Sequence, residues 1–393
     1  MNRLHRHIAP MMFVALLLTS LITSCQRKPL YLVPHGNVSI ATAEYDIQLE
    51  LLWGANWQDE WQYPSESWNE DIHGRIGYTI PTGVHTIAYQ LDDEFNRFRW
   101  HYDRHIGIQG GRVQLATKEY YDMLFYNDDT EWIHFIDRGG NDYRTFNVTT
   151  NTNSRVQYTR NYSGYNQPDQ LIGTLVSEVY VSDDPDDYIM ERNEDGSITY
   201  VYKMDVTLHP YTFIYLYQII LRNNRTDEGD VIVTSAEGLT ANGLASGTDL
   251  FTRRTHSSVV SLTQDYVAPL VTDRLLTLPD GTQETADIMG ARIQTWGLPN
   301  VNPLEALTRG GTEPQDSTFV GVGLRLHNGY TYVMQKNVTE QMKDRPAGGV
   351  ITLMVDVTKE IPDSIIDKKP TGGGAFNTTI NQWGNDVNQE LEI

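Results

Sequence analysis

The 393-residue sequence has a single cysteine, few cations and, after its first two dozen residues, no long apolar run. One cysteine excludes an internal disulfide and any multi-cysteine zinc site. Thirty Lys and Arg face 51 Asp and Glu, a formal net charge of -21. Nucleic acid is therefore not an expected partner, because polyanions are held by basic clusters that release counterions, and none is present. Beyond residue 25 nothing approaches the ~18 uninterrupted apolar residues of a membrane-spanning helix. Long Ala/Leu/Glu/Lys stretches are also missing, whereas 23 Tyr, 8 Trp, 10 Phe and 31 Gly are present. That balance favours strands and turns over helices. The length suggests about two domains.

The start of the chain reads as an address. Arg3 and Arg6 are followed by the apolar run Met11–Leu18 and then by Leu21-Ile22-Thr23-Ser24-Cys25. This pattern resembles a bacterial lipoprotein signal, in which Cys25 becomes the lipidated first residue. Several acyl chains on one residue anchor a protein without a transmembrane helix. Removal of residues 1–24 leaves 28 cations against 51 acids, a formal charge of -23.

Residues 25–43 read as the lipidated cysteine and a tether. From Glu44 short alternating runs begin. Tyr45, Ile47, Leu49, Leu51 and Trp53 alternate with mostly polar residues, the period-two signature of a half-buried strand. Further candidates before residue 140 are Arg75–Ile80, Val84–Leu91, Phe95–Tyr102, Arg112–Leu115, Asp122–Asn127 and Trp132–Asp137, enough for a β-sandwich. Asn147–Gln170 carries too little apolar content for a core element. Val201–Leu208 and Phe213–Leu221 face each other across His209-Pro210-Tyr211-Thr212, a hairpin pattern. The boundary is expected within 180–198, giving an N-terminal sandwich over 44–190 and a C-terminal one over 191–393.

The chain lacks Gly-x-Ser-x-Gly, His-Glu-x-x-His, a P-loop and Gly-x-Gly-x-x-Gly. No enzyme, cofactor or metal is expected. His101 and His105 have a chelating spacing only on a helix, and their context is strand and turn. The acidic loop Asp183–Asp187 approaches a calcium loop but has Tyr202 where the bidentate acid belongs. Trp57, Trp61 and Trp68, with acids between them, are candidates for stacking on sugar rings, so carbohydrate binding stands as the alternative function.

The run Lys118–Phe135, centred on Tyr126-Asn127-Asp128-Asp129-Thr130-Glu131-Trp132, resembles a motif of a Bacteroidetes lipoprotein family, DUF5119, which is fimbrillin-like. The ending Trp383-Gly384-Asn385-Asp386-Val387 to Ile393 is similar to the close of fimbrillin-like chains. The resemblance implies two tandem transthyretin-like, Greek-key β-sandwiches in an all-β chain. It also implies a role as subunit, anchor or accessory protein in fimbrial assembly or adhesion at the outer membrane, held there by lipid. In fimbrial relatives an Arg-specific protease removes the first strand and another subunit's strand fills the groove. Carried over, Tyr45–Trp53 is the removable strand and Arg75 the cleavage site. Val387, Leu391 and Ile393 lie on a final strand that either closes the second domain or is donated. The partners are then the membrane and other fimbrial subunits or further copies of the chain. Asp316-Ser317-Thr318 and Asp363-Ser364-Ile365 resemble the phylum's O-glycosylation signal, at Ser317 and Ser364. Gln26-Arg27-Lys28-Pro29 follows Cys25 where surface-exported lipoproteins carry acids, which leaves both the cell surface and the periplasmic face open. The Asp128-Asp129-Thr130 stretch is expected to cap a turn and fix strand register.

Overall fold

The computed structural model describes residues 37–51, 57–92, 94–95, 97–127, 129–136, 145–150, 155–159, 162–309, 317–368 and 378–380. The first twelve strands are β1 (Ile40–Leu49), β2 (Gly83–Leu91), β3 (Arg97–Gly107), β4 (Gly110–Ala116), β5 (Glu119–Tyr126), β6 (Ile133–Ile136), β7 (Asn147–Thr150), β8 (Arg155–Thr159), β9 (Tyr162–Tyr165), β10 (Ile172–Val181), β11 (Ile189–Arg192) and β12 (Ile198–Pro210). Ten more complete the described chain: β13 (Phe213–Arg222), β14 (Val233–Ala245), β15 (Gly247–Asp249), β16 (Val259–Gln264), β17 (Ala268–Thr277), β18 (Gln283–Thr295), β19 (Phe319–Leu326), β20 (Thr331–Asn337), β21 (Gly349–Asp356) and β22 (Thr378–Ile380). The chain is all-β in architecture, as its composition requires.

Eight strands run in the order β1-β4-β3-β2-β5-β10-β12-β11, and β1 also pairs with β12, so the circuit closes on itself. Beyond the Gly107–Gly110 hairpin no further β3–β4 register exists, and β10 meets β12 at only two positions. The strands thus fall into two faces around one core. Ala43, Tyr45 and Ile47 from β1 meet Met123 and Phe125 from β5 and Val206 and Leu208 from β12. A second sandwich sets the four-stranded sheet β17-β18-β13-β21 against the seven-stranded sheet β22-β20-β19-β14-β16-β9-β8. Tyr215, Tyr217 and Ile219 of β13 and Ile351 and Leu353 of β21 face Leu239, Val320 and Leu324 there.

β5 is buried on both faces. Tyr121, Met123 and Phe125 point into the first sandwich, while Leu124 and Tyr126 enter a third cluster with Phe146, Val148, Tyr211 and Trp296. This explains the apolar run Met123–Tyr126 at the end of β5, which a strand with one wet face would not show. The third cluster ties the first sandwich to the three-stranded sheet β15-β7-β6 and to Trp296 after β18.

Several expectations are corrected here. β1 starts at Ile40, inside the expected tether, because Ala41 and Ala43 are core residues whose small side chains give little hydrophobic signal. Arg75–Ile80 forms no strand. The stretch after Asn147 does supply core, with Val148 buried in β7. The β12–β13 hairpin is absent: β12 pairs with β1, β10 and β11, whereas β13 pairs with β18 and β21. His209-Pro210-Tyr211-Thr212 carries the chain from one sandwich to the other. After Pro210 the chain enters the four-stranded sheet of the second sandwich, whose seven-stranded sheet already holds β8 and β9.

Trp296 is fully buried and its indole N–H donates to Thr150 Oγ1 at 3.0 Å. Trp296→Ala opens a cavity between the sandwiches and leaves that hydroxyl without its donor. A loss of about 3–5 kcal/mol is expected, read from the urea midpoint.

Candidate functional site

The site begins with β1. It runs antiparallel to β4, from Ile40 opposite Ala116 to Asp46 opposite Gly110, and parallel to β12, from Thr42 opposite Val201 to Leu49 opposite Leu208. Both hydrogen-bonding edges are thus occupied. Tyr45 and Ile47 point inward, and Leu49 and Leu51 pack partly buried on the same core. The Tyr45 hydroxyl donates to Met123 Sδ at 3.5 Å and its ring meets Phe125 edge-on at 4.8 Å. Burial pushes its phenol well above the ordinary range. Outside, Arg112 Nε donates to Glu44 at 2.6 Å, and both terminal nitrogens of Arg112 donate to Glu191 at 2.7 and 2.9 Å. That bracket spans β4, β1 and β11, and it holds both carboxyls below their ordinary value of 4.5.

Close approach of β4 to β1 depends on Gly110, whose φ is +120°. A Cβ there would lie 1.9 Å from the Tyr45 carbonyl oxygen.

After β1 the chain leaves the first sandwich. Residues 57–80 form a strap over the outer face of the four-stranded sheet of the second sandwich. The Gln62 amide side chain acts as a short strand edge, donating to Thr277 O at 2.7 Å and accepting from Thr277 N at 2.6 Å. Its own N–H donates to Gln218 Oε1 at 3.0 Å. Tyr63 and Trp68 are buried with Ile220, Ile288 and Ala268, and Trp61 packs against them. The Trp61 and Trp68 rings meet edge-on at 5.8 Å, and Trp68 Nε1 donates to Gly74 O at 3.0 Å. Gly290 on β18 makes room for this cluster, since a Cβ there would lie 2.9 Å from Trp61 Cη2 and 3.0 Å from Tyr63 Cγ. Arg345 donates to Glu60 at 2.8 Å. Beneath the end of the strap, burial pushes the Arg292 guanidinium down to about 10. No carboxylate among the described residues pairs with it; Nη2 donates to the Gln294 side-chain carbonyl at 2.7 Å.

These positions settle where the expected site residues lie. Trp57 and Trp61 are half-buried and Trp68 is buried, all pressed on the sheet, so the proposed sugar-stacking faces serve packing. Arg75 is exposed in irregular backbone just past the short helix Glu70–His73. Ser317, before β19, and Ser364, in the turn of helix Asp363–Ile366, are also exposed. Cys25, Trp53, Val387, Leu391 and Ile393 lie outside the described residues. The His105 ring is tilted against that of His85 at 4.7 Å, and the described residues contain no group of three or more His, Cys, Asp or Glu that could hold a metal. Gln62, Gly110, Gly290 and Arg112 were not singled out by sequence, since a lone glutamine or glycine has no spacing signal.

The Asn127–Trp132 segment is a latch of three elements. Asn127 accepts from Ile172 N at 2.7 Å and donates to Asp129 at 2.7 Å. Asp129 Oδ2 accepts from Thr82 N and Oγ1 at 3.0 and 3.1 Å, and Asp169 accepts from Trp132 N at 2.6 Å. Burial pushes the Asp129 carboxyl up, but the bonds from Asn127 and Thr82 outweigh it and hold it below its ordinary value of 3.8. The acid thus ties the end of β5 to the start of β2, rather than capping its own turn, and the Thr130 hydroxyl makes no hydrogen bond. Asp128 lies outside the described residues.

Residues 73–256 match the family model described as "Domain of unknown function (DUF5119)". The match covers just under half of the chain. The matched region starts within the strap, two residues before Arg75, and contains the whole latch. No curated protein matches the chain. Among solved structures, a "putative adhesin" from Bacteroides ovatus is 14% identical, covering 81% of this chain and 93% of that one, with a TM-score of 0.44. A "putative adhesin" from Bacteroides thetaiotaomicron is 9% identical, over 81% and 92%, at 0.42. The fimbrial anchor protein Mfa2 from Porphyromonas gingivalis is 9% identical, over 80% and 91%, at 0.38.

Gly110→Ala forces the new methyl into the Tyr45 carbonyl and strains the backbone; an expected cost of roughly 1–3 kcal/mol should appear as faster amide exchange in β1. Gly290→Val should instead loosen the strap, raising tryptophan emission exposure while β1 exchange stays slow. The Glu44 and Glu191 pKa values are depressed in the fold, so the stability their bracket contributes is fully present above the ordinary value of 4.5 and is lost as pH falls from there through the lowered folded values. Slow exchange of the β1 amides should weaken over that acid range, and Arg112→Gln should remove the change.

Proposed function

We propose that this chain is a non-enzymatic cell-envelope protein of the fimbrial or adhesive machinery that keeps its own first strand, an anchor or accessory protein rather than a subunit that surrenders that strand. The observation that carries this reading is the double hold on the N-terminal segment. β1 is hydrogen-bonded along both edges, and the strap that follows it is seated on the other sandwich. Strand exchange needs a segment that can leave. Here departure would break two ladders, bare the apolar faces of Ile220 and Ile288, and pull two aromatic side chains, Tyr63 and Trp68, into water.

The resemblance of the Lys118–Phe135 run and the match to DUF5119 support placing the chain among fimbrillin-like proteins. On this reading each sandwich is transthyretin-like, Cys25 is lipidated at the outer membrane, and Ser317 and Ser364, both exposed, are accessible to O-glycosylation. Arg75 is accessible to a protease, but a cut there separates residues that the fold still holds.

Digestion with an Arg-specific protease tests this. Cleavage after Arg75 is expected to give two fragments that co-elute as one monomer and part only in denaturant. Loss of the N-terminal fragment with growth of polymers would show a subunit that gives up β1.

A further inference from the structure

The chain enters the first sandwich at one end, and that end is the apolar one. Val38 N donates to Asp183 O at 3.0 Å and Thr117 Oγ1 donates to Val38 O at 2.5 Å, so residue 38 lies where the β4–β5 turn meets the end of β10. Around this entry point large apolar side chains stand in water: Ile40 is 57% exposed, Phe95 51%, Tyr180 46%, Tyr120 39%, Ile189 51% and Tyr202 39%. Phe95 meets Tyr120 at 5.1 Å and Tyr120 meets Tyr180 at 4.9 Å, forming a continuous aromatic surface. An exposed contiguous patch of this kind marks an interaction site, whereas scattered apolar residues do not.

The backbone is bent to present it. Phe95, Lys118 and Glu178 all have left-handed φ, at 60°, 64° and 58°. Such conformations are costly for residues with a Cβ and persist where the surrounding structure imposes them. Glu178 sits in a bulge of β10, between Val176 and Val179, and its N–H is held by Asp122 at 2.8 Å. Past that bulge Tyr180 pairs opposite Tyr120. Bulges re-aim side chains in this way.

We infer that this collar rests on the surface of the lipid bilayer to which the chain is tethered. The inference rests on the proposed lipidation of Cys25. Twelve residues separate Cys25 from Val38, a reach of at most about 45 Å over thirteen fully extended steps. The collar is thus the part of the fold that the tether keeps nearest the membrane. Tyr and Phe suit the interface, where an apolar body meets hydrocarbon and a hydroxyl stays wet. The acids beside it, Asp183 to Asp187 and Glu191, are partnered by cations only in part, through Lys118 and Arg112. The collar therefore fits a zwitterionic surface and is repelled by an anionic one.

The test supplies the tether artificially, so that it stands apart from acylation. Chain 26–393 with an N-terminal histidine tag is held on phosphatidylcholine vesicles by a nickel-chelating lipid, with an environment-sensitive probe on Ser39→Cys or, as control, on Leu275→Cys. The probe at 39 is expected to shift to the blue and to be quenched by nitroxide-labelled lipid, and the probe at 275 to do neither. Adding anionic lipid should reduce the effect. Phe95→Ser, Tyr120→Ser and Tyr180→Ser together should abolish it, with thermal melting showing that the fold survives. Water-like emission from both probes on vesicles overturns the inference. So does a blue shift at 39 that needs no vesicles and grows with protein concentration, which would mark a contact between copies. Intact mass of the native protein reports acylation of Cys25 separately, and its failure leaves the vesicle result standing.

Discussion

β1 lies between β4 and β12 and pairs with both. With β1 in place, Glu44 and its neighbours fill both edges and the eight-stranded circuit closes. Without it, two strands carry bare amide edges and the core loses Tyr45 and Ile47 from beneath Met123 and Phe125. Unpaired buried backbone groups are costly, and bare edges invite pairing with another chain. The first sandwich is thus complete only because its most N-terminal described strand stays seated, and everything attached to that strand matters to how it stays.

What is attached is the strap. Its aromatic cluster lies not on the sandwich that β1 completes but on the other one, against Ile220 and Ile288. The segment from Ile40 to Tyr78 therefore stitches the two sandwiches together, alongside the shared cluster of Tyr126, Phe146 and Trp296. β1 and the strap pack in separate clusters, so an opening at one is expected to leave the other seated. On the proposed reading, these two holds are what keep the segment in place.

Much of this was legible in residue pattern. The alternation of Tyr45, Ile47 and Leu49 marks the inward face of β1, and Asp122–Asn127 marks a strand. The Asp128-Asp129-Thr130 stretch reads as a turn cap and register device, and Asp129 bonds Thr82 at the start of β2 instead of its own turn. Three features were hidden. His209-Pro210-Tyr211-Thr212 has turn chemistry, yet four residues are equally able to cross between sandwiches, and only long-range pairing decides. Trp57, Trp61 and Trp68 look like a sugar platform because spacing cannot show which surface covers a ring. Gln62 completes the edge of β17 with its side-chain amide, an interaction set wholly by tertiary approach.

The most direct measurement is amide hydrogen exchange along β1, from Thr42 to Leu49, in intact protein and in protein cut after Arg75. Retention predicts slow exchange in both. Rapid exchange of these amides once the chain is cut would show that β1 stays only while covalently joined, and would contradict the account.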